Sequence, residues 1–365
     1  MKKIFVDIYL AFNFGDDLFL DILAKQFKED KFTVNYVGNE YDEFLEQYSN
    51  VEKRKYDIKD KILRRMKIKD NLKDYKKIAK EHDSLVFIGG SIFREESYHK
   101  KLYNDRLELV KEFKKNKKTI YIIGANFGPF QTEEFVEDYR NLFSMCTDVC
   151  FRDKYSYDLF KDLKNTRYES DIVFQIELDS YNKSEKKDIV GFSIIDLKHK
   201  VGLAKYENRY IDSTIKAIKY LISKGNKCYL ISFCKREGDL DVIHQIVNRL
   251  SLQERENILI HEYEGDLEDT IKLISSFKCF IAARFHANII GLLLNVGILP
   301  VIYSDKTINM LKDINLDKLL INMKEIENLY DEVILYKAEN NKTSLEKEKI
   351  SSKRQFIKLK EYCSI

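Results

Sequence analysis

An arginine and a histidine two residues apart, Arg284 and His286, stand between two apolar runs in Phe280-Ile-Ala-Ala-Arg284-Phe-His286-Ala-Asn288-Ile-Ile-Gly291. The run Phe277–Ala283 reads as a strand and Ala287–Leu294 as a helix, closed by Asn295 and Gly297 before a further strand at Ile298–Tyr303. Residues at such a junction lie at the carboxyl edge of a sheet and at a helix amino terminus, where free N–H groups and the helix dipole favour an anion. Arg284 adds a permanent charge with a fork suited to phosphate or carboxylate, and His286 a group that gives or takes a proton near neutral pH. Asn288 follows in the first turn of that helix. An anion holder beside a proton donor is a candidate catalytic pair, although a histidine at such a junction is more commonly a satisfied structural residue.

Other polar residues are expected at strand ends. Asn13-Phe-Gly15-Asp16-Asp17, Gly89-Gly90-Ser91, Gly124-Ala-Asn126-Phe-Gly128-Pro129 and Arg152-Asp153 with Ser156 each follow an apolar run in the first half, and Ser232-Phe-Cys-Lys235-Arg236 follows one in the second. Glycine permits a sharp turn and a close approach to the backbone. For any single turn the commoner account is punctuation, and their shared placement is what suggests a site. The remaining histidines (His82, His99, His199, His244, His261) show no ligand-like spacing, so no metal site is expected. Ser91, Ser193 and Ser232 lack the Gly-x-Ser-x-Gly elbow of a hydrolase.

The elements that must position these residues alternate along the chain. Ile4–Leu10 precedes a helical pattern at Leu18–Phe27, Leu85–Ile88 precedes Leu102–Phe113, Thr119–Ile123 precedes Glu134–Phe143, and Val149–Phe151 precedes Tyr155–Leu163. The alternation resumes after a polar gap at Asp179–Lys187, with Ile189–Ile194 before Ile211–Ser223, Cys228–Phe233 before Leu240–Leu250, and Ile258–His261 before Leu267–Ser276. This is the pattern of α/β proteins with parallel sheets covered by helices, and here it occurs twice. Two doubly wound, Rossmann-like domains are expected to face a cleft at the carboxyl ends of their strands. We place them at 1–180 (acceptor side) and 186–325 (donor side), with a helical tail at 326–365 that packs back on the first domain.

The length of 365 residues suits two cores. With 63 Lys and Arg against 60 Asp and Glu, the charge balance excludes a nucleic-acid partner. Six cysteines without Cys-x-x-Cys spacing read as reduced core residues of a cytoplasmic protein. No signal peptide or spanning segment is expected. The lysine-rich stretch 51–84 reads as two amphipathic helices, with Ile58, Ile62, Leu63 and Met66 on one stripe and Leu72, Tyr75, Ile78 and Ala79 on another. Solvated lysines are the ordinary meaning of such a run, and peripheral contact with the inner face of a membrane the alternative.

Taken in order, Asn-x-Gly-Asp-Asp, Gly-Gly, Gly-x-x-x-Gly-Pro, Phe-Arg-Asp-x-x-Ser, an Asp near 171 and Ala-Arg-Phe-His resemble the polysaccharide pyruvyl transferase family, from Asn13 to about Ser304. The resemblance implies a glycosyltransferase-B-like plan and transfer of a pyruvyl group from phosphoenolpyruvate to a sugar, giving a cyclic ketal. It places Arg284 and His286 on the family's Arg-x-His element, Arg152 on its Arg-Asp-x-x-Ser element, and Asn13, Gly15, Asp16 and Asp17 on its first turn. Gly-Gly-Ser at 89–91 and Ala283 depart from it, which puts donor and acceptor contacts in question.

Phosphoenolpyruvate needs cations and backbone donors for its phosphate and carboxylate, and Arg284, Arg236, Ser232 and Asn288 are the candidates. His286 is the candidate acid for its methylene carbon. Asn13, Gly15, Asp16, Asp17, Gly89, Gly90, Asn126, Gly128 and Arg152 are expected to line the cleft or hold the acceptor, a sugar or lipid-linked glycan precursor. The chemistry requires neither cofactor nor metal. Two other readings remain: a nucleotide-sugar glycosyltransferase, for which Glu262 and Asp269 only approximate the expected acidic pair, and a catalytically silent glycan-binding protein.

Overall fold

The computed structural model describes residues 1–66, 70–178, 180–181, 187–198, 200, 202–328 and 332–365. His199, and residues 179 and 182–186 of the expected polar gap, lie outside the described residues. The chain divides into two compact units: Met1–Leu10 with Phe19–Ile172 and Glu348–Ile365, and Ala11–Leu18 with Val173–Lys347. Each is built on its own parallel sheet.

The first unit holds seven strands: β1 (Lys3–Asp7), β2 (Lys31–Val34), β3 (Val51–Lys53), β4 (Ser84–Ile88), β5 (Thr119–Ala125), β6 (Asp148–Phe151) and β7 (Thr166–Tyr168). They pair in the order β3-β2-β1-β4-β5-β6-β7. The central strands read as unbroken apolar runs because helices cover both faces; every residue of β4 is buried. Phe87, Phe93, Phe113, Phe135, Tyr139 and Phe143 fill the space between sheet and helices. The second unit repeats the plan with β8 (Lys187–Ile194), β9 (Lys227–Ser232), β10 (Ile258–Glu262), β11 (Phe277–Ala282), β12 (Gly297–Ile302) and β13 (Ile321–Asn322), ordered β10-β9-β8-β11-β12-β13. Strand order reverses direction between β1 and β4 in one sheet and between β8 and β11 in the other. Doubly wound sheets bind ligands beyond the carboxyl ends of the strands at such switch points.

The structure departs from the sequence reading at the edges. β2, β3, β7 and β13 are short, and Val51–Lys53 is a strand where a helix was expected. Strands such as Val-Glu-Lys and Thr-Arg-Tyr carry too few apolar residues to stand out, as suits edge positions. The helix Ile58–Arg65 begins at an Asp57–Asp60 capping box, and its stripe of Ile58 and Ile62, continued by Met66, is exposed. Ile78 and Ala79 of the next helix, Tyr75–Glu81, are buried. The unit boundaries also differ from those expected, because Ala11–Leu18 and the chain up to Lys347 are counted with the second unit. Among the described residues no helix is long and apolar enough to cross a membrane.

Candidate active site

In the second unit the polar side chains gather at the switch point. Arg284 follows β11 as the cap residue of the helix Phe285–Leu293, and its N–H donates to Ser193 Oγ near the end of β8, at 3.1 Å. Its guanidinium is already engaged. Nε donates to Asp239 Oδ2 at 3.0 Å, Nη2 donates to Asp239 Oδ1, and Nη1 donates to Glu237 Oε2 at 2.6 Å. Burial alone would lower the arginine's pKa, but Asp239 and Glu237 outweigh it and hold the guanidinium well above its ordinary value. Asp239, fully buried, also accepts the N–H groups of Cys234 at 3.2 Å and Asp196 at 3.4 Å. Three of the five N–H donors of Arg284 are thus spent on carboxylates. The fork that the sequence suggested for an incoming anion is held mainly by internal ones, because the turn Lys235–Glu237 after β9 ends in Glu237 and the helix that follows opens on Asp239.

His286 is the second residue of the same helix and partly exposed. Its ring lies against the backbone of Gly15, so closely that a Cβ at that position would overlap Nδ1. The first turn therefore belongs beside the histidine. Asn13 Oδ1 accepts the Gly15 N–H at 3.1 Å and its carbonyl accepts the Asp17 N–H at 3.0 Å, which starts the helix Phe14–Gln26. The turn is tied to the second unit by the Phe14 N–H on the Phe233 carbonyl at 3.1 Å and by Tyr263, whose hydroxyl donates to the buried Asp17 at 2.8 Å. Asn13, Gly15, Asp16 and Asp17, expected on the first domain, are instead grouped with His286. Asp16 is partly exposed.

The other candidates in this unit divide. Ser232 ends β9 fully buried, and among the described residues its Oγ has no hydrogen-bond partner. Asn288 spends its amide nitrogen on the Ala282 and Arg284 carbonyls at 3.2 and 2.9 Å, pinning helix to strand, while its Oδ1 has no such partner. Arg236 is exposed on the turn Lys235–Glu237, and the next residue is the one that reaches Arg284. Cys234 is no nucleophile, since burial pushes its thiol up to about 12.

The first-unit candidates form a separate network. Arg152, at the end of β6, is buried and donates to Asp171 at 2.8 Å and to Asn126 Oδ1 at 2.6 Å. Ser91 also donates to Asn126 Oδ1, at 3.0 Å, and the Asn126 N–H donates to the Gly90 carbonyl at 2.8 Å. A Cβ on Gly90 would meet the Arg152 guanidinium. Asp153 caps the helix Lys154–Phe160 through the Ser156 N–H at 2.8 Å, and Ser156 Oγ donates to Asp153 and accepts the Phe127 N–H at 2.7 Å. Gly89 and Gly128, with φ of 143° and 99°, make turns that only glycine adopts readily. Asn126 and Arg152, read as cleft residues, are thus largely committed to joining the ends of β4, β5 and β6. Glu237, Asp239, Tyr263 and Lys200 were not singled out from sequence. Asp239 stands where an acidic residue in the first turn of a helix is unremarkable, and its partner lies 45 residues away.

Two parallel sheets, each with its polar residues at the carboxyl ends of the strands, define a two-domain Rossmann-like protein of the glycosyltransferase-B kind. Solved structures share the plan. Anabaena HepE in complex with UDP matches with a TM-score of 0.58 at 12% identity over 100% of both chains. S. aureus MnaA with UDP gives 0.60 at 10% identity, over 100% of this chain and 97% of that one. Within that class the chain belongs to the polysaccharide pyruvyl transferase family, whose pattern spans residues 13–305. It is 20% identical to the amylovoran biosynthesis protein AmsJ of Erwinia amylovora over 303 residues, 76% of this chain and 69% of that protein. It is accordingly a polysaccharide-modifying transferase.

Proposed function

We propose that the chain moves the pyruvyl group of phosphoenolpyruvate onto two hydroxyls of one sugar in a glycan precursor. The observation that carries this reading is the placement of His286 and Arg284 at the switch point of the second sheet, with the imidazole partly exposed and set against Gly15. His286 protonates the methylene carbon of phosphoenolpyruvate, and the adjacent carbon becomes electrophilic. One sugar hydroxyl adds there and its proton restores the one His286 gave up; a second hydroxyl displaces phosphate, which carries off that hydroxyl's proton, and the ketal ring closes. Ser232 and Asn288 each contribute a buried oxygen beside this chemistry, and leaving such an atom unsatisfied costs about 1–3 kcal/mol. Proton transfer and displacement suffice, so the route calls on no metal or cofactor.

Thermal shift with phosphoenolpyruvate tests the donor. A ligand at a hundredfold excess over its dissociation constant stabilises by about 2.7 kcal/mol. His286→Gln should keep that response while product formation collapses, and unchanged turnover in this variant removes the histidine from the mechanism. A nucleotide-sugar donor is the second reading, favoured by the UDP in similarly folded structures. A response to UDP-sugars with none to phosphoenolpyruvate decides for it.

A lipid-linked acceptor would bring the chain to an anionic membrane. The exposed Ile58, Ile62 and Met66 on a helix rich in lysine and arginine support that reading. Ile58→Ser with Ile62→Ser should abolish flotation with anionic vesicles, and wild-type protein that stays unbound counts against it.

A further inference from the structure

The two acidic partners of Arg284 differ in kind. Asp239 is fully buried, takes two donors from the guanidinium and two from backbone, and so belongs to the framework. Glu237 sits further out, its side chain 19% exposed, on a turn of three residues. One of its oxygens, Oε2, receives both Arg284 Nη1 at 2.6 Å and Lys200 Nζ at 2.7 Å. Burial alone would raise the pKa of Glu237, but Arg284 and Lys200 outweigh it and keep the carboxyl well below its usual range, so it stays anionic. An arginine and a lysine converging on a single anionic oxygen are the arrangement proteins use to bind phosphate or carboxylate.

We propose that Glu237 is an internal stand-in for the anionic group of the co-substrate, occupying a two-cation cradle of Arg284 and Lys200 that an incoming phosphate or carboxylate oxygen takes over. Lys200 is then an anion-binding residue in its own right. The inference rests on the reading above that Arg284 serves an anionic donor. Geometry permits the exchange: Asp239 holds Arg284 by Nε and Nη2 whether or not Glu237 is engaged, so the guanidinium keeps its place while its Nη1 changes partner. A glutamate side chain swings by rotation about its own bonds, without moving the backbone. An internal competitor lowers apparent affinity by the fraction of molecules in which the cradle is open. Removing its charge should therefore tighten binding, whereas a purely structural ion pair predicts no change or a loss.

Calorimetric titration of the full chain with phosphoenolpyruvate, and separately with inorganic phosphate, decides the matter. Glu237→Gln, nearly isosteric, should bind both probes more tightly, by roughly tenfold if the cradle is open about a tenth of the time. Lys200→Met should bind both more weakly by a similar factor. In the double variant the gain from Glu237→Gln should largely vanish, because both act on one oxygen. Unchanged or weaker binding of both probes by a folded Glu237→Gln overturns the proposal. Should that variant not fold, unchanged phosphate affinity in Lys200→Met overturns it equally. If wild-type protein ignores phosphoenolpyruvate but Glu237→Gln tightens inorganic phosphate, the cradle stands and the pyruvyl donor falls. If wild-type protein binds phosphoenolpyruvate and Glu237→Gln gains nothing, the reverse holds.

Discussion

Replacing Gly15 with alanine would push a methyl group into the His286 ring. Even in the middle of a helix the same change stabilises by only about 0.5–1 kcal/mol, whereas overpacking costs about 1–3 kcal/mol, so the clash wins. We expect Gly15→Ala to remain folded with a modestly lower melting temperature and to lose on the order of a hundredfold in turnover, since a small misplacement of a reacting group costs about that much. Turnover within a few fold of wild type would show that the ring position is unimportant. Gly90 plays the same part for Arg152, and Gly90→Ala should lower the melting temperature because that arginine is tied to Asp171 and Asn126. Both glycines were legible as places where something approaches the backbone. What approaches is a side chain of the protein, remote in sequence, and no local pattern carries that.

Among the elements, the helix Tyr75–Glu81 ends in a titratable contact. His82 is buried, its Nδ1 lies 2.8 Å from the Ile78 carbonyl, and its ring meets Phe5 edge-on at 5.2 Å. Burial pushes its pKa below the ordinary 6.5, a shift that Lys118 assists and that the Ile78 carbonyl, Glu81 and Glu52 oppose. The unfolded chain therefore takes up this proton first as pH falls. The contribution to stability is complete above 6.5 and is lost as pH drops from there through the lower folded value. Melting temperatures measured from about pH 7.5 to about pH 5.5 should fall, and fall less in His82→Asn. Equal slopes in the two proteins would mean that His82 does not carry the effect. The central strands were legible because a strand covered on both faces must be apolar throughout; the edge strand β10 was legible too, at Ile258–His261, but the short β2, β3, β7 and β13 were not, because nothing requires a continuous apolar run of them.

At the scale of the whole chain, residues Glu348–Ile365 complete the first unit. Gln355, fully buried, accepts the Gly124 N–H at 3.0 Å and donates to the Phe151, Glu169 and Ser170 carbonyls at 3.2, 2.8 and 3.2 Å. Phe356 packs on Phe27 at 5.6 Å. Ending the chain after Lys347 would strip all of these at once, and we expect a protein that aggregates or melts many degrees lower by circular dichroism. Gln355→Leu should cost about 1–3 kcal/mol, the penalty of a buried N–H left unpaired. A truncated chain that melts like wild type would show that the segment is dispensable.

Local order along the chain was enough to reveal two repeating α/β units, the Arg284-Phe-His286 junction and the family to which they belong, because strand and helix periods and strand-end motifs are written in neighbouring residues. The assignment of Asn13–Asp17 to the second unit, the capture of Arg284 by Asp239 and Glu237, and the exposed stripe on Ile58–Arg65 came only from the folded chain. Each depends on which distant segments meet. A guanidinium reads the same in sequence whether its fork is open or already filled by carboxylates, and its partners are chosen by packing.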